Sequence, residues 1–285
     1  MLWFGVGAKA SAWLTAFWGP DMKTMGTVLI AATLAVLLFF VGLGYFDRDP
    51  IFIVPPTARP APSWRDVAAI ILSGDMGSKI GMAPPLAKAI SGRGIPVVMV
   101  DSLAYFRVRR TAAEAEALVH AALQRALSLP HVDRVVMIGQ SYGADMLQVG
   151  LSRLPPKERS RILLAAIVVP GRTVEYRASP GEIFTFAMAG EDALPTAHRL
   201  RWLPLLCIYG KEESQSLCPL LHSPNVRSVA LPGGHMLHHD SAAVLRELLP
   251  AMGRHISSRG PRAEISLHLP RGVSHWALAS TGVTT

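Results

Sequence analysis

Cysteine occurs only twice in these 285 residues, and no zinc-finger spacing can be built from it. Also missing are an aromatic run of the RNA-stacking type, a basic stripe along any helical pattern, and an internal repeat. These absences leave the excess of Lys and Arg over Asp and Glu without a nucleic-acid partner. The net charge is +8 and the pI about 9.9. Such a surface favours anions, and an acidic membrane face is the partner that remains. Half of the chain is apolar. That supports one domain of about 200 residues with a buried core, and is too little for two large ones.

Residues 27–46, TVLIAATLAVLLFFVGLGYF, hold no charge over twenty positions. At about 1.5 Å per residue such a helix spans a hydrocarbon core of roughly 30 Å. Lys9 and Lys23 precede it; Asp47, Arg48 and Asp49 follow it. The balance places residues 1–26 in the cytoplasm and the rest beyond the inner membrane, in the periplasm. A cleaved signal peptide, with Gly42-Leu43-Gly44 as the small-residue cleavage site, is the alternative. Either way the domain is exported. The prolines between Asp49 and Pro62 make residues 47–63 read as a stiff extended tether, with the domain at 64–253. Residues 254–285 mix Ser, Gly, Pro and Arg into a basic, poorly ordered tail with a possible short strand at 265–269.

Between the tether and the tail, apolar runs alternate with helical patterns. VAAIIL, PVVMV, RVVMIG, ILLAAIVV, LPLLCIYG and VRSVAL read as strands, and 182–190 as an extra edge strand. PPLAKAIS begins with prolines suited to a helix's first turn. In TAAEAEALVHAALQRALSL, Thr111 and Glu114 form a capping box, and Ala113, Ala117, Leu118 and Ala121 share a face. Residues 241–252 close as a helix. Strands apolar throughout and separated by helices predict a mostly parallel, doubly wound α/β sheet, preceded by a transmembrane helix.

In such sheets chemistry gathers beyond the carboxyl ends of the strands. Gly139-Gln140-Ser141-Tyr142-Gly143 stands at one of them, a G-x-S-x-G turn from strand to helix that exposes Ser141 as a nucleophile. A serine hydroxyl needs a base. His235 follows a strand and a Gly pair, while His238 and His239 read as surface or capping residues. The orienting acid is expected at Glu213, with Glu212 as the alternative, in the loop after Gly210. The order Ser141, Glu213, His235 is that of α/β-hydrolases, so the expected fold class is the α/β-hydrolase fold. The N–H groups of Tyr142 and Asp75 are the expected oxyanion donors, with Met76 as an alternative to Asp75. Met76, Tyr105 and Asp145 are candidate substrate contacts, and Asp75, Asp101 and Asp145 offer carboxylates to a cationic substrate. Cys207 and Cys218 bracket the acid loop; in an exported domain they can pair, and otherwise they are two buried thiols. No metal and no cofactor is expected.

The pieces SGDMG, VDSLAYF, IGQSYGAD, LCIYGKEESQSLC and LPGGH, in this order and spacing, resemble the bacterial virulence protein VirJ/AcvB family over roughly residues 66–252. The resemblance implies a periplasmic α/β-hydrolase-like domain. Members similar to AcvB hydrolyse aminoacylated phosphatidylglycerol, notably the lysyl lipid, and VirJ is associated with type IV secretion. It carries Ser141 over from the family's G-x-S-x-G and His235 from its Gly-Gly-His. Met76, Gln140, Tyr142 and Gln215 depart from the family's usual residues. The implied activity is a membrane-anchored ester hydrolase acting on an aminoacylated anionic phospholipid. A generic periplasmic esterase or lipase, or a secretion accessory protein binding type IV components on a hydrolase scaffold, are the alternatives.

Overall fold

The computed structural model of the chain describes residues 22–178 and 190–258. In chain order the elements are α1 (Met22–Leu43), β1 (Ile51–Val54), β2 (Val67–Leu72), α2 (Ala83–Ser91), β3 (Val97–Val100), α3 (Ser102–Phe106), α4 (Ala112–Leu127), β4 (Arg134–Gln140), α5 (Tyr142–Arg153), α6 (Pro156–Arg159), β5 (Ile162–Val168), β6 (Thr173–Val174), β7 (Glu191–Asp192), α7 (Leu194–Ala197), β8 (Leu205–Gly210), β9 (Val226–Leu231) and α8 (Ser241–Ser258).

Every residue of β2, β3 and β5 is buried, because helices cover both faces of the sheet they form. Among the described residues seven strands form the main sheet, in the order β1-β3-β2-β4-β5-β8-β9, and β6 and β7 form a separate antiparallel pair. All neighbours pair in parallel except β1, which runs antiparallel to β3. Alternate residues of a strand point to opposite faces. Val67, Ala69 and Ile71 of β2 accordingly meet Leu86 and Ile90 of α2 and Val244 and Leu248 of α8. Ala68, Ile70 and Leu72 lie in the other core, with Leu118 and Leu123 of α4 and Leu147 and Leu151 of α5. From β2 the chain moves outward to β3, then returns across β2 to β4. The strand order therefore reverses between β2 and β4, with Leu72 opposite Gly139, and a crevice opens beyond their carboxyl ends.

Residues 47–63 do not form a free tether. Ile51–Val54 pair with β3 as the sheet's edge strand, Ile51 opposite Val100. The prolines on either side are tolerated because an edge strand has one row of backbone groups outside the ladder. Further along, Thr57 N–H donates to the Ser91 carbonyl at 3.0 Å. A Cβ on Gly94 would meet Pro60 N at 2.2 Å, so the proline stretch lies pressed on the domain.

The apolar helix also ends differently from the uncharged run. α1 stops at Leu43, three residues before Phe46, and Leu43 is 1% exposed among Leu103, Phe106 and other core residues. Gly44 turns the chain with φ +84°, where an added Cβ would meet Asp47 Oδ2 at 2.7 Å. The Arg107 guanidinium donates to the carbonyls of Tyr45 (3.1 Å) and Asp47 (2.9 Å), and Asp101 N–H donates to Pro50 O at 2.7 Å. Lys79 pairs with Asp47 at 3.3 Å. The foot of the helix is thus built into the domain.

Thr111 and Glu114 do form a capping box at the start of α4. The buried stripe of α4 is Ala115, Leu118, Val119, Ala122, Leu123 and Ala126, while Ala113, Ala117 and Ala121 face outward. The bulkier Leu and Val side chains remove more apolar area from water than a row of alanines, and they decide the rotation. α8 runs on to Ser258, so residues 254–258 are helix and not tail. Of the expected strand at 182–190, residues 182–189 lie outside the described residues and Gly190 is in no strand; the one expected at 265–269 also lies outside the described residues.

Candidate active site

β4 delivers Ser141 to the crevice at φ 52° and ψ −125°, a backbone that only glycine adopts without strain. Two glycines make the turn possible. A Cβ on Gly139 would meet Gly143 O at 2.5 Å, and one on Gly143 would meet Ser73 O at 2.3 Å. Ser141 is the N-cap of α5, where a serine hydroxyl ordinarily accepts from the helix's first N–H groups. It makes no such bond; its Oγ lies 2.7 Å from His235 Nε2. The first N–H groups of α5, Tyr142's among them, have no partner within the helix and point towards its amino end.

His235 is held in the loop after β9 and Glu213 in the loop after β8. Gly210 lets the two loops touch: a Cβ there would meet Gly234 O at 2.2 Å. Lys211 N–H donates to Leu231 O at 2.7 Å and Glu212 N–H to Gly233 O at 3.1 Å. Glu213 Oε1 lies 2.5 Å from His235 Nδ1, while Glu212 Oε1 accepts from Gly233 N–H at 3.3 Å. A carboxylate only accepts, so Nδ1 carries the proton and Nε2 faces the serine hydroxyl as an acceptor. Glu213 Oε2 is buried with no hydrogen-bond partner among the described residues. The imidazole is therefore the group that meets this carboxylate's charge. Cys207 and Cys218 are bonded to each other across the base of the acid loop. His238 and His239 are exposed on the short turn before α8.

Asp75 and Met76 lie in the turn after β2, closed by Gly77 N–H donating to Gly74 O at 3.1 Å. The turn is supported from below by Asp101. Asp101 is buried; its Oδ2 accepts from Ser78 N–H (3.0 Å) and Ser78 Oγ–H (2.6 Å), and its Oδ1 from Ala104 N–H (2.9 Å). It caps α3, so its carboxylate is turned inward and is not offered to a substrate. An N-cap Asp before an apolar helical run is the signal that reveals this role. A Cβ on Gly74 would meet Gln140 Oε1 at 3.0 Å, so the residue before the serine lies over this turn. Sequence reasoning missed that contact, which joins segments far apart in the chain.

The candidate substrate contacts divide. Met76 is partly buried against the core. Tyr105 donates its hydroxyl to Glu114 O at 3.2 Å beneath the Arg110 guanidinium, and so holds the start of α4. Asp145 Oδ1 accepts from Gly171 N–H at 2.8 Å and braces the loop after β5. The Tyr142 ring packs edge-on against Phe106. Burial first, and then the nearby Asp145, Glu175 and Tyr176, push its hydroxyl far above the usual phenol range, so it stays neutral.

A parallel sheet with its serine elbow at the switch point is the architecture of the α/β-hydrolases, and solved members superpose on this chain. Est1E from Butyrivibrio proteoclasticus, solved with ferulic acid bound, matches with a TM-score of 0.52 and 15% identity over 72% of this chain and 94% of its own. GrgF, an alpha/beta hydrolase from Penicillium sp. sh18, gives 0.51 and 14% over 73% and 99%. The Pyrococcus furiosus esterase Pf2001 gives 0.51 and 15% over 68% and 83%. At such identities the likeness is one of fold. No curated protein matches the chain in sequence. The chain belongs to the family described as Bacterial virulence protein (VirJ), whose sequence model matches residues 66–256.

Proposed function

We propose that the protein is a serine ester hydrolase, anchored in the inner membrane with its domain in the periplasm, that removes the aminoacyl group from aminoacylated phosphatidylglycerol. The observation that carries this reading is the hydrogen-bonded chain Ser141 Oγ, His235 Nε2, His235 Nδ1, Glu213 Oε1. Ser141 Oγ attacks the ester carbonyl while His235 Nε2 takes its proton, and Glu213 holds the resulting imidazolium. The N–H groups of Tyr142 and Asp75 receive the developing oxyanion. Collapse of the tetrahedral species breaks the ester bond. His235 returns the proton to the departing glycerol oxygen, which leaves phosphatidylglycerol and an aminoacyl-Ser141. Water, deprotonated by the same histidine, then releases the free amino acid.

Three features favour an aminoacyl lipid over a soluble neutral ester. α1 is long and apolar enough to cross a membrane, and almost all of it is exposed. The basic surface suits an anionic lipid. Asp145, one helical turn from Ser141, and Glu175 lie near the Tyr142 hydroxyl, and carboxylates on this side of the elbow suit a cationic substrate. The test is a lipid extraction from wild-type and deletion cells, joined to hydrolysis of purified aminoacyl-phosphatidylglycerol in detergent. Accumulation of the aminoacyl lipid in the deletion strain and its cleavage in vitro are the expected results. Cleavage of simple esters only, with unchanged lipid, would leave a generic periplasmic esterase.

A further inference from the structure

The distribution of exposed apolar side chains is uneven. Outside α1, the large hydrophobic side chains that stand exposed among the described residues are Phe46, Phe52, Ile80, Val108 and Met236. Topology puts them at one end of the molecule. Ile80 lies between β2 and α2, Val108 between β3 and α4, and Met236 between β9 and α8, all on the carboxyl side of parallel strands. β1 runs antiparallel with Ile51 opposite Val100, so Phe46 and Phe52 approach the same end from the other direction. Phe46, Ile80, Val108 and Met236 are each 44–57% exposed, and Met236 directly follows His235. Loops at the opposite end contribute no exposed side chain of this kind among the described residues.

α1 leaves the domain from this same end. Its last residue, Leu43, is a core residue, and a Cβ on Gly77 would meet Leu43 O at 3.0 Å, two residues from Asp75. The helix body does not fold back on the domain, since nearly every residue from 24 to 42 is exposed. Arg48, Lys79, Arg107, Arg109 and Arg110 occupy the same segments as Asp47, Asp49, Asp75, Asp240 and Glu114; Asp47 pairs with Lys79 and Glu114 with Arg110, while Arg48 and Arg109 stand exposed.

We infer that the strand-end face is a bilayer-docking surface. The foot of α1 fixes its orientation, Phe46, Ile80, Val108 and Met236 enter the interface, and the exposed Arg48 and Arg109 meet anionic headgroups. The partner is a membrane surface rich in anionic lipid, continuous with the bilayer that α1 crosses. The inference rests on the reading of α1 as a membrane anchor. Apolar side chains beside exposed arginines suit the headgroup boundary, where each gains by burial or by charge. The site then opens onto the leaflet, and an ester at headgroup depth reaches Ser141 while its acyl chains stay in the bilayer. The built-in foot of α1 thus gives a fixed docking pose in place of the expected extended tether.

The experiment uses the full chain, with its disulfide kept oxidised, in vesicles of phosphatidylethanolamine and phosphatidylglycerol. A nitroxide is placed at Ile80→Cys or Val108→Cys, and at Ser160→Cys, before β5 at the opposite end, as the aqueous reference. Paramagnetic relaxation by lipid-soluble oxygen and by an aqueous nickel chelate is compared at each position. At 80 and 108 oxygen is expected to dominate and the chelate effect to be lost, with the reverse at 160. Vesicle flotation separates the two ideas. Protein that floats with labels at 80 and 108 as aqueous as that at 160 would overturn the docking face. Protein that does not float would overturn the anchor and the docking face with it.

Discussion

Glu213 Oε1 lies 2.5 Å from His235 Nδ1, across 22 positions of sequence, while the adjacent Glu212 bonds the backbone of Gly233. One carboxylate therefore orients the imidazole and the other fixes the loop that carries it. Glu213→Gln is expected to lower kcat on a soluble ester by roughly 10³–10⁴-fold, because an amide carries no counter-charge for the imidazolium and can turn its NH2 towards Nδ1, which favours the wrong tautomer. Glu212→Gln keeps an oxygen for Gly233 N–H and should cost less than about tenfold. Steady-state kinetics of the two variants decide the assignment; equal losses would remove the distinction.

Ser141→Ala is expected to abolish turnover and labelling by a fluorophosphonate while the protein stays folded. The lost atom bonds only His235, and alanine is smaller than serine. Removal of an attacking oxygen costs several orders of magnitude in rate. Residual turnover near the wild-type value would show that another group attacks.

The elbow should tolerate no side chain at its second glycine. Gly143→Ala drives a Cβ to 2.3 Å from Ser73 O, a backbone atom that cannot swing aside. A loss of more than ~3 kcal/mol, or failure to fold, is expected. Gly234→Ala meets nothing within 4 Å and should stay within about 1 kcal/mol of wild type. Thermal unfolding in detergent reads both, and comparable midpoints would refute the packing argument.

The Cys207–Cys218 bond closes a short loop around Glu213, with a sequence separation of 11. Loop-closure entropy puts its stabilisation near ~3 kcal/mol. Reduction, or Cys207→Ser with Cys218→Ser, should lower the unfolding midpoint and reduce kcat more than it raises KM, since the acid loop is what loosens. An unchanged midpoint and kcat would mean that the backbone bonds of Lys211 and Glu212 hold the loop alone.

Leu43 is a core residue, so an enzyme cleaved after Gly44 would lose part of its core. Intact mass of the protein from membranes is expected to include Leu43, and Leu43→Ala should cost about 2–4 kcal/mol. A mature chain beginning at Tyr45 would overturn the retained anchor.

Much of this molecule was legible locally. Apolar runs of strand length, the Thr111 capping box and the glycines around Ser141 are short-range patterns, and each needs only a few neighbours to act. The order of Ser141, Glu213 and His235 could be read because strand ends deliver loops to one side of a parallel sheet. Other features depended on contacts between distant segments. Residues 51–54 look like part of a proline-rich linker until β3 offers an unpaired edge. Asp101 looks available until Ser78 and Ala104 close on it. Alanines at 113, 117 and 121 form a proper helical row, yet the sheet took the face with Leu118, Val119 and Leu123. The sequence by itself determined the parallel strands of the main sheet, the elbow and the kinds of residue at the site. Tertiary structure decided which of two neighbouring glutamates meets His235 and where the apolar helix joins the domain. Side-chain direction in a loop and the pairing of an edge strand are set by long-range contacts that no local window contains.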